Sequence, residues 1–170
     1  MTAMQTTVYI GLGSNLGERE AHLRSAVLRL TDLPGLKVAA TSSIYETAAQ
    51  EMAPGSPPFL NQVVKVESTL SPLDLLEALE LVEAELGRTG KGLGLPRTID
   101  LDILLYGDTV LATPRLTIPH PRLLARPFAI VPLLELSPAL RHPATGRPLA
   151  EYRVSDAHVE KVQDHAARVV

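Results

Sequence analysis

The sequence has 170 residues, 45% hydrophobic and 21% charged, which is the size and balance of one globular domain with its own core. A net charge of −3 gives no bulk attraction to nucleic acid or anionic membrane, and the lack of cysteine excludes disulfides, thiolate metal sites and a cysteine nucleophile while suiting a reducing cytoplasm. Charges interrupt every apolar stretch short of the roughly 18 residues a membrane span needs, and the start of the chain has no basic-then-apolar leader pattern, so the expectation is a soluble protein.

Thr6 to Leu12 is rich in β-branched and aromatic residues and runs into Gly11 and Gly13, which predicts a buried first strand ending in a turn. The stretch "GLGSNLG" spaces its glycines as G-x-G-x-x-x-G, one residue too long for the dinucleotide fingerprint, and no GK[ST] follows to make a P-loop. Its glycines are therefore expected to turn the chain into the first helix, with Ser14 or Asn15 as N-cap. From Glu18 to Leu33, Leu23, Ala26, Val27 and Leu30 recur at helical spacing until Pro34-Gly35. Leu36 to Glu46 and Phe59 to Ser68 alternate as strands, joined by the proline-rich loop "AAQEMAPGSPP". Ser71-Pro72-Leu73-Asp74 supplies an N-cap, a first-turn proline and a capping-box acid for a second helix whose stripe is Leu73, Leu76, Leu79, Val82 and Leu86, ending at Gly87. After a loop holding Gly90, Gly92 and Gly94, "TIDLDILLYGD" reads as a strand closed by a Gly-Asp turn.

The order strand, helix, strand, strand, helix, strand is the split βαβ pattern, an α+β sandwich in which a four-stranded antiparallel sheet carries two helices on one face. A proline-rich run, a helix-like "FAIVPLLEL" and a polar stretch with helical character from Ser155 form a C-terminal extension. One domain is expected over residues 1–170, the tail from about residue 141 having no assigned structure.

Asp100 and Asp102 carry the sharpest chemical signal. Strand residues two apart project from the same face, with Cα atoms about 6 to 7 Å apart, and Asp is disfavoured among core residues such as Ile99, Leu101, Ile103 and Leu104. The plain alternative is an edge strand with its acidic side in water. Two carboxylates with oxygen-only ligation suit Mg²⁺ completed by substrate phosphates, and "IDLDIL" has no Cys or His for zinc. Between Arg88 and Arg126 stand six basic residues, Arg88, Lys91, Arg97, Arg115, Arg122 and Arg126, against Asp100, Asp102 and Asp108, so this segment is locally basic in an acidic chain. Arginines flanking the acids can clamp a polyphosphate bidentately, or can be ordinary solvated surface. His120 in "IPHPR" is stiffened by two prolines and suits a phosphate contact better than general-base work, although a lone His is more often structural.

Across "YIGLGSNLG", "SSIYET", "FLNQVVKVES", "LLEALELVEAELGR", "PRTIDLDILLYGD" and "LTIPHPRLLARPF", from Tyr9 to about Pro138, the chain closely resembles the 6-hydroxymethyl-7,8-dihydropterin pyrophosphokinases of folate biosynthesis. The last two motifs, in this order and spacing, are highly specific. The resemblance implies a ferredoxin-like fold and Mg²⁺-dependent transfer of pyrophosphate from ATP to the pterin hydroxymethyl group, releasing AMP. It implies that Asp100 and Asp102 bind two Mg²⁺ ions and that Arg88 and Arg97 are catalytic with them. Glu83, Ile103, Arg115, Thr117, His120 and Arg126 would line the ATP site, with Lys91 substituting for a missing family arginine. Thr47 and Asn61 would hydrogen-bond the pterin, whose ring Phe59 and Phe128 would hold, as aromatic faces suit a flat heterocycle. The implied partners are ATP and a pterin alcohol, with no nucleic acid and no membrane, in a cytoplasmic monomer open to association with other folate-pathway enzymes.

Three positions depart from the family pattern: Ala48-Ala49 replaces Pro-Pro, Gly90 replaces a second Arg, and Gly94-Leu95 replaces Trp-Gly, so the glycine-bearing loop is expected to close over ATP differently. An RNA-binding module would need a K/R-G-F/Y-G/A-F-V-x-F/Y motif and more than 4% aromatics. A purely regulatory domain of the same fold would leave Asp100 and Asp102 unexplained.

Overall fold

The computed structural model describes residues 4–47, 55, 57–87, 98–152 and 159–162. In chain order, β1 (Thr6–Ser14) leads to α1 (Arg19–Asp32), then β2 (Leu36–Thr41), β3 (Tyr45–Thr47), β4 (Phe59–Ser68) and α2 (Pro72–Glu85). After these come β5 (Asp100–Tyr106), a small ribbon of β6 (Leu111–Ala112) and β7 (Thr117–Ile118), α3 (Pro127–Leu136) and β8 (Val159–Lys161). Short 3-10 turns at Leu123–Ala125 and Leu149–Tyr152 flank α3.

The main sheet is six-stranded and antiparallel, in the order β5-β1-β4-β3-β8, with β2 sharing β4. The pairing extends the four-stranded expectation because the second expected strand is two strands and β8 adds a sixth beside β3. β2 and β3 part at Ser42, whose hydroxyl accepts from the Val63 N–H at 2.9 Å while its own N–H donates to the Val63 carbonyl at 2.8 Å. A side chain there takes over part of the backbone ladder, and strand geometry lapses for three residues.

Both faces of the sheet are covered, not one. On the first face Val8, Ile10, Leu12, Val64, Val66, Leu101 and Ile103 pack beneath Leu23, Ala26 and Leu30 of α1 and Leu75, Leu79 and Val82 of α2. On the second, Tyr9, Val63, Leu104 and Leu105 pack beneath Ala129, Ile130 and Leu133 of α3 and Leu149. The register of β1 on β5 slips between Tyr9 and Ile10, which leaves Leu104 as an extra residue and sends Leu104 and Leu105 both to the α3 face.

Several local expectations need correction. Gly11 and Gly13 do not turn the chain: β1 runs through both to Ser14, and the left-handed turn is made by Gly17 at φ 70°. Neither Ser14 nor Asn15 caps α1, whose N-cap is Glu18 without a side-chain bond; the Asn15 amide donates to the Pro57 carbonyl at 3.1 Å and Ser14 Oγ lies 3.4 Å from His22 Nδ1. Ser71 does cap α2, accepting from the Asp74 N–H at 3.2 Å. The buried side of α2 is Leu75, Leu79, Val82 and Glu83, with Leu73 left 44% exposed, so the helix is rotated from the predicted stripe. Helical character from Ser155 is overturned where it can be judged, since β8 pairs with β3.

Candidate active site

Asp100 and Asp102 stand half-buried at the start of β5, opposite Gly13 and Gly11 of β1. Across β1, Gly13 is in turn opposite Asn61 of β4, and Gly11 opposite Val63. Directly opposed residues of antiparallel strands share a face, so Asn61, Gly13 and Asp100 form one row across three strands on the α3 side of the sheet. Two strand spacings separate its ends, about 9 to 10 Å. The middle member has no side chain: a Cβ at Gly13 would sit 3.4 Å from both Asn61 Oδ1 and Phe59 Cδ1. The "GLG" of β1 is therefore the floor between a carboxylate pair and an amide beside an aromatic ring. Its i, i+2 spacing matches that of "DLD", and this shared period was the signal available in the sequence for a strand reading of those glycines.

The amide side of the row is tightly organised. Asn61 and Thr47 are both buried, and Asn61 Nδ2 donates to Thr47 Oγ1 at 2.9 Å. Thr47 lies opposite Phe59 and Tyr45 opposite Asn61, so these four side chains emerge on one face. Phe128, on the first turn of α3, packs against the second core cluster, and the Arg126 guanidinium lies 5.5 Å from its ring centroid.

On the carboxylate side the outer edge of β5 is held by two contacts. Glu83, 4% exposed on α2, accepts at Oε2 from the Leu101 N–H at 2.7 Å, midway between the two aspartates. The His120 N–H donates to the Leu104 carbonyl at 3.0 Å, which fixes the "IPHPR" segment beside the same strand. His120 Nδ1 accepts from the Arg122 N–H at 3.2 Å, which orients the ring beside β5.

The remaining expected site residues are distributed less simply. The Ile103 side chain is 3% exposed in the α1–α2 core, leaving only its backbone to meet a ligand. Thr117 is exposed on β7. Arg115 reaches the outer side of α2, where its guanidinium donates to Glu77 at 3.2 Å and Glu80 at 2.7 Å. Arg88, Lys91 and Arg97 lie outside the described residues, as do Ala48-Ala49, Gly90 and Gly94-Leu95. A separate cavity of about 510 Å³, lined by Tyr9, Leu105, Asp108, Ser137 and Arg141 among others, lies at the other end of β5 and includes none of the expected site residues.

Sequence reasoning missed Glu135. This acid, in the last turn of α3, accepts at Oε2 from the Ser43 N–H at 2.9 Å and the Ser43 hydroxyl at 3.0 Å, and at Oε1 from the Tyr45 hydroxyl at 2.5 Å. Partial burial pushes its pKa up, but the Tyr45 and Ser43 bonds, with Lys161 nearby, outweigh this and hold the carboxyl below its ordinary value. Nothing in the local sequence of "LLEL" marks it, because its donors come from residues some ninety positions earlier.

Among the described residues no group of three His, Cys, Asp or Glu side chains is gathered tightly enough to hold a metal by itself. Asp100 and Asp102 nevertheless fit Mg²⁺: they are hard oxygen donors on one face, and that ion completes its octahedron with water and phosphate oxygens. The fold and donor set thus define an α+β antiparallel-sheet protein that presents a carboxylate pair, a buried Thr–Asn pair and an aromatic ring on one face. The sequence model of 7,8-dihydro-6-hydroxymethylpterin-pyrophosphokinase matches residues 9–138, and the chain belongs to that family.

Relatives agree with this. The 2-amino-4-hydroxy-6-hydroxymethyldihydropteridine pyrophosphokinase of Aquifex aeolicus is 41% identical over 86% of this chain and 90% of its own length. That of Pseudomonas aeruginosa is 42% identical over 85% of this chain and 88% of its own. The folic acid synthesis protein fol1 of Pneumocystis carinii is 43% identical over 96% of this chain, which spans only 21% of that longer protein. Among solved structures, wild-type Plasmodium falciparum HPPK-DHPS shares the fold with a TM-score of 0.71 at 14% identity, covering 89% of this chain and 42% of that one.

Proposed function

We propose that this chain transfers the pyrophosphoryl group of ATP to the hydroxymethyl oxygen of 6-hydroxymethyl-7,8-dihydropterin, in folate biosynthesis. The observation that carries the reading is the Asn61–Gly13–Asp100 row, which sets a buried amide and a carboxylate pair about two strands apart on one face. Thr47 and Asn61 would hydrogen-bond the polar edge of the pterin, and Phe59 and Phe128 would hold its faces, leaving the hydroxymethyl arm to extend over Gly13 toward Asp100.

Asp100 and Asp102 would hold two Mg²⁺ ions, which when bound neutralise phosphate charge during transfer. His120 and Arg126, with Thr117, Arg88, Lys91 and Arg97, would bind the phosphates and keep the β-phosphorus in line with the attacking oxygen. Arg115 would join them by exchanging Glu77 and Glu80 for phosphate oxygens. Glu83 would hold β5 straight beneath the nucleotide, and the Ile103 backbone would face its base. The pterin hydroxyl oxygen forms the new bond to the β-phosphorus, the bond from that phosphorus to the α–β bridging oxygen breaks, AMP leaves with the bridging oxygen, and the hydroxyl proton passes to solvent.

The strand order β5-β1-β4 followed by β2 and β3, with α1 and α2 on one face, supports a ferredoxin-like core, and α3 with β8 a C-terminal extension of it. No helix among the described residues is long and apolar enough to cross a membrane. A cytoplasmic monomer acting on ATP and a pterin, one that can associate with other folate-pathway enzymes, is part of this proposal. The test is incubation with ATP, Mg²⁺ and the hydroxymethyl-dihydropterin. Release of AMP with the pterin diphosphate is expected; ADP alone, or no nucleotide product, would overturn it.

A further inference from the structure

Glu135 sits where a carboxylate is electrostatically disfavoured, in the last turn of α3 facing the negative end of the helix dipole. Three donors compensate it, the Ser43 N–H and hydroxyl from the short connector after β2 and the Tyr45 hydroxyl from the first residue of β3. Both carboxylate oxygens are used, so the bonds fix the direction as well as the distance between α3 and that connector.

What the connector feeds is β3, only three residues long, Tyr45–Thr47. A strand so short has little ladder of its own, and it is held from three sides. β4 pairs with it at Tyr45↔Asn61 and Thr47↔Phe59. β8 pairs at Tyr45↔Lys161 and Thr47↔Val159, and the Val162 N–H donates to the Ile44 carbonyl at 2.8 Å. Glu135 supplies the third restraint, from the side where Thr47 and Asn61 project.

The same helix carries Phe128 seven residues earlier. Seven residues are two helical turns, so Phe128 and Glu135 lie along one side of α3. Anchoring one end of that side to β3 sets the distance from the Phe128 ring to the Thr47–Asn61 pair.

We infer that Glu135 is a positioning residue for the pterin pocket, tying α3 and its Phe128 to the strand that carries Thr47 through Ser43 and Tyr45. This rests on the proposed pterin pyrophosphokinase reading. The carboxylate does not touch substrate; it acts through the two elements it joins. Its loss loosens the pocket for the pterin more than the ATP side, whose two aspartates stand on β5 and which has only Arg126 at the start of α3.

The experiment is steady-state kinetics of the full chain and of Glu135→Ala, Glu135→Gln and Tyr45→Phe, each with its melting temperature. Glu135→Ala is expected to raise the KM for the pterin about tenfold, the scale of lost charge-assisted hydrogen bonds, with the KM for ATP and kcat at saturation within about twofold of the parent. Glu135→Gln keeps an acceptor oxygen and is expected to recover most of the loss. Tyr45→Phe removes one donor and is expected to give a smaller rise that adds nothing on top of Glu135→Ala, as two halves of one contact do. Should Glu135→Ala fail to fold, Tyr45→Phe and Glu135→Gln carry the same comparison. An unchanged pterin KM in Glu135→Ala and Tyr45→Phe, equal rises for pterin and ATP, or additive effects in the double variant would each overturn the inference. An inactive parent chain would instead overturn the functional reading on which it stands.

Discussion

Replacing Glu83 with Ala is expected to loosen the strand that carries both aspartates. Glu83 is 4% exposed and its Oε2 lies 2.7 Å from the Leu101 N–H, so the bond is charge-assisted and shielded from water. β5 is the outer strand of its sheet among the described residues, so no neighbouring strand offers that N–H another acceptor. A hydrogen bond to a charged group contributes about 1.5–3 kcal/mol, and a buried N–H left without its acceptor costs about 1–3 kcal/mol. Relief from burying a carboxylate works the other way, so a net loss of about 2 kcal/mol is expected. For a chain of this length that corresponds to a fall in Tm of about 4–8 °C. Glu83→Gln keeps an acceptor in place without the charge and is expected to lose less than half as much. Urea unfolding and calorimetric titration of a non-hydrolysable ATP analogue, with and without Mg²⁺, measure the two consequences together. Mg²⁺-dependent affinity should fall about tenfold in Glu83→Ala, because Leu101 lies between the two acids and a loss of about 1.4 kcal/mol is tenfold. A variant that melts within about 1 °C of the parent and keeps its Mg²⁺-dependent affinity would refute this reasoning.

Asp100→Ala and Asp102→Ala should each abolish turnover and Mg²⁺-dependent nucleotide binding, while stability stays within about 1 kcal/mol because a half-buried like-charge pair is relieved; an active, Mg²⁺-responsive variant would contradict the assignment. Gly13→Val should leave the strand as stable or slightly more so, since β-branched residues suit strands, yet lower pterin affinity at least about tenfold by filling the floor beside Asn61 and Phe59. Calorimetric titration of the pterin checks this, and an unchanged affinity would contradict it. Stability should fall on acidification in two stages. His142, held by burial below its ordinary 6.5, favours folding fully above that value and loses this contribution as the pH falls through its lower folded value. Glu135, lowered from 4.5, contributes fully above 4.5 and loses its share as the pH falls further. Melting temperatures followed from pH 8 to pH 3.5 test both, and a flat profile in the parent would contradict the pairing.

Much of the arrangement around the aspartates was legible in the sequence, but unevenly. Asp100 and Asp102 declared themselves because acids alternating with Leu and Ile defy burial rules, and the arrangement of β5 beside β1 bears out a shared face for them. Ser71 at the start of α2 was equally clear, since capping chemistry is local. Gly11 and Gly13 were misread because glycine after an apolar run usually signals a turn; here the strand continues and the missing side chains leave room on the face of Asn61 and Asp100. The break between β2 and β3 depends on Ser42 finding Val63, and the place of β8 on β3 joins segments more than a hundred residues apart, so neither leaves a periodic trace. Glu135 is the extreme case, an acid in an apolar helix whose purpose lies entirely in Ser43 and Tyr45.

In the proposed reaction the β-phosphorus of ATP is the atom transferred to a pterin held over the Asn61–Gly13–Asp100 row. ATP labelled with ³²P at the β-position alone tests it most directly, with products separated after a single incubation with Mg²⁺ and the hydroxymethyl-dihydropterin. The label should move quantitatively to the pterin diphosphate and leave unlabelled AMP, and Asp102→Ala should show none of this transfer. Label retained in ADP, or in ATP left unconsumed by the parent chain, would rule this transfer out.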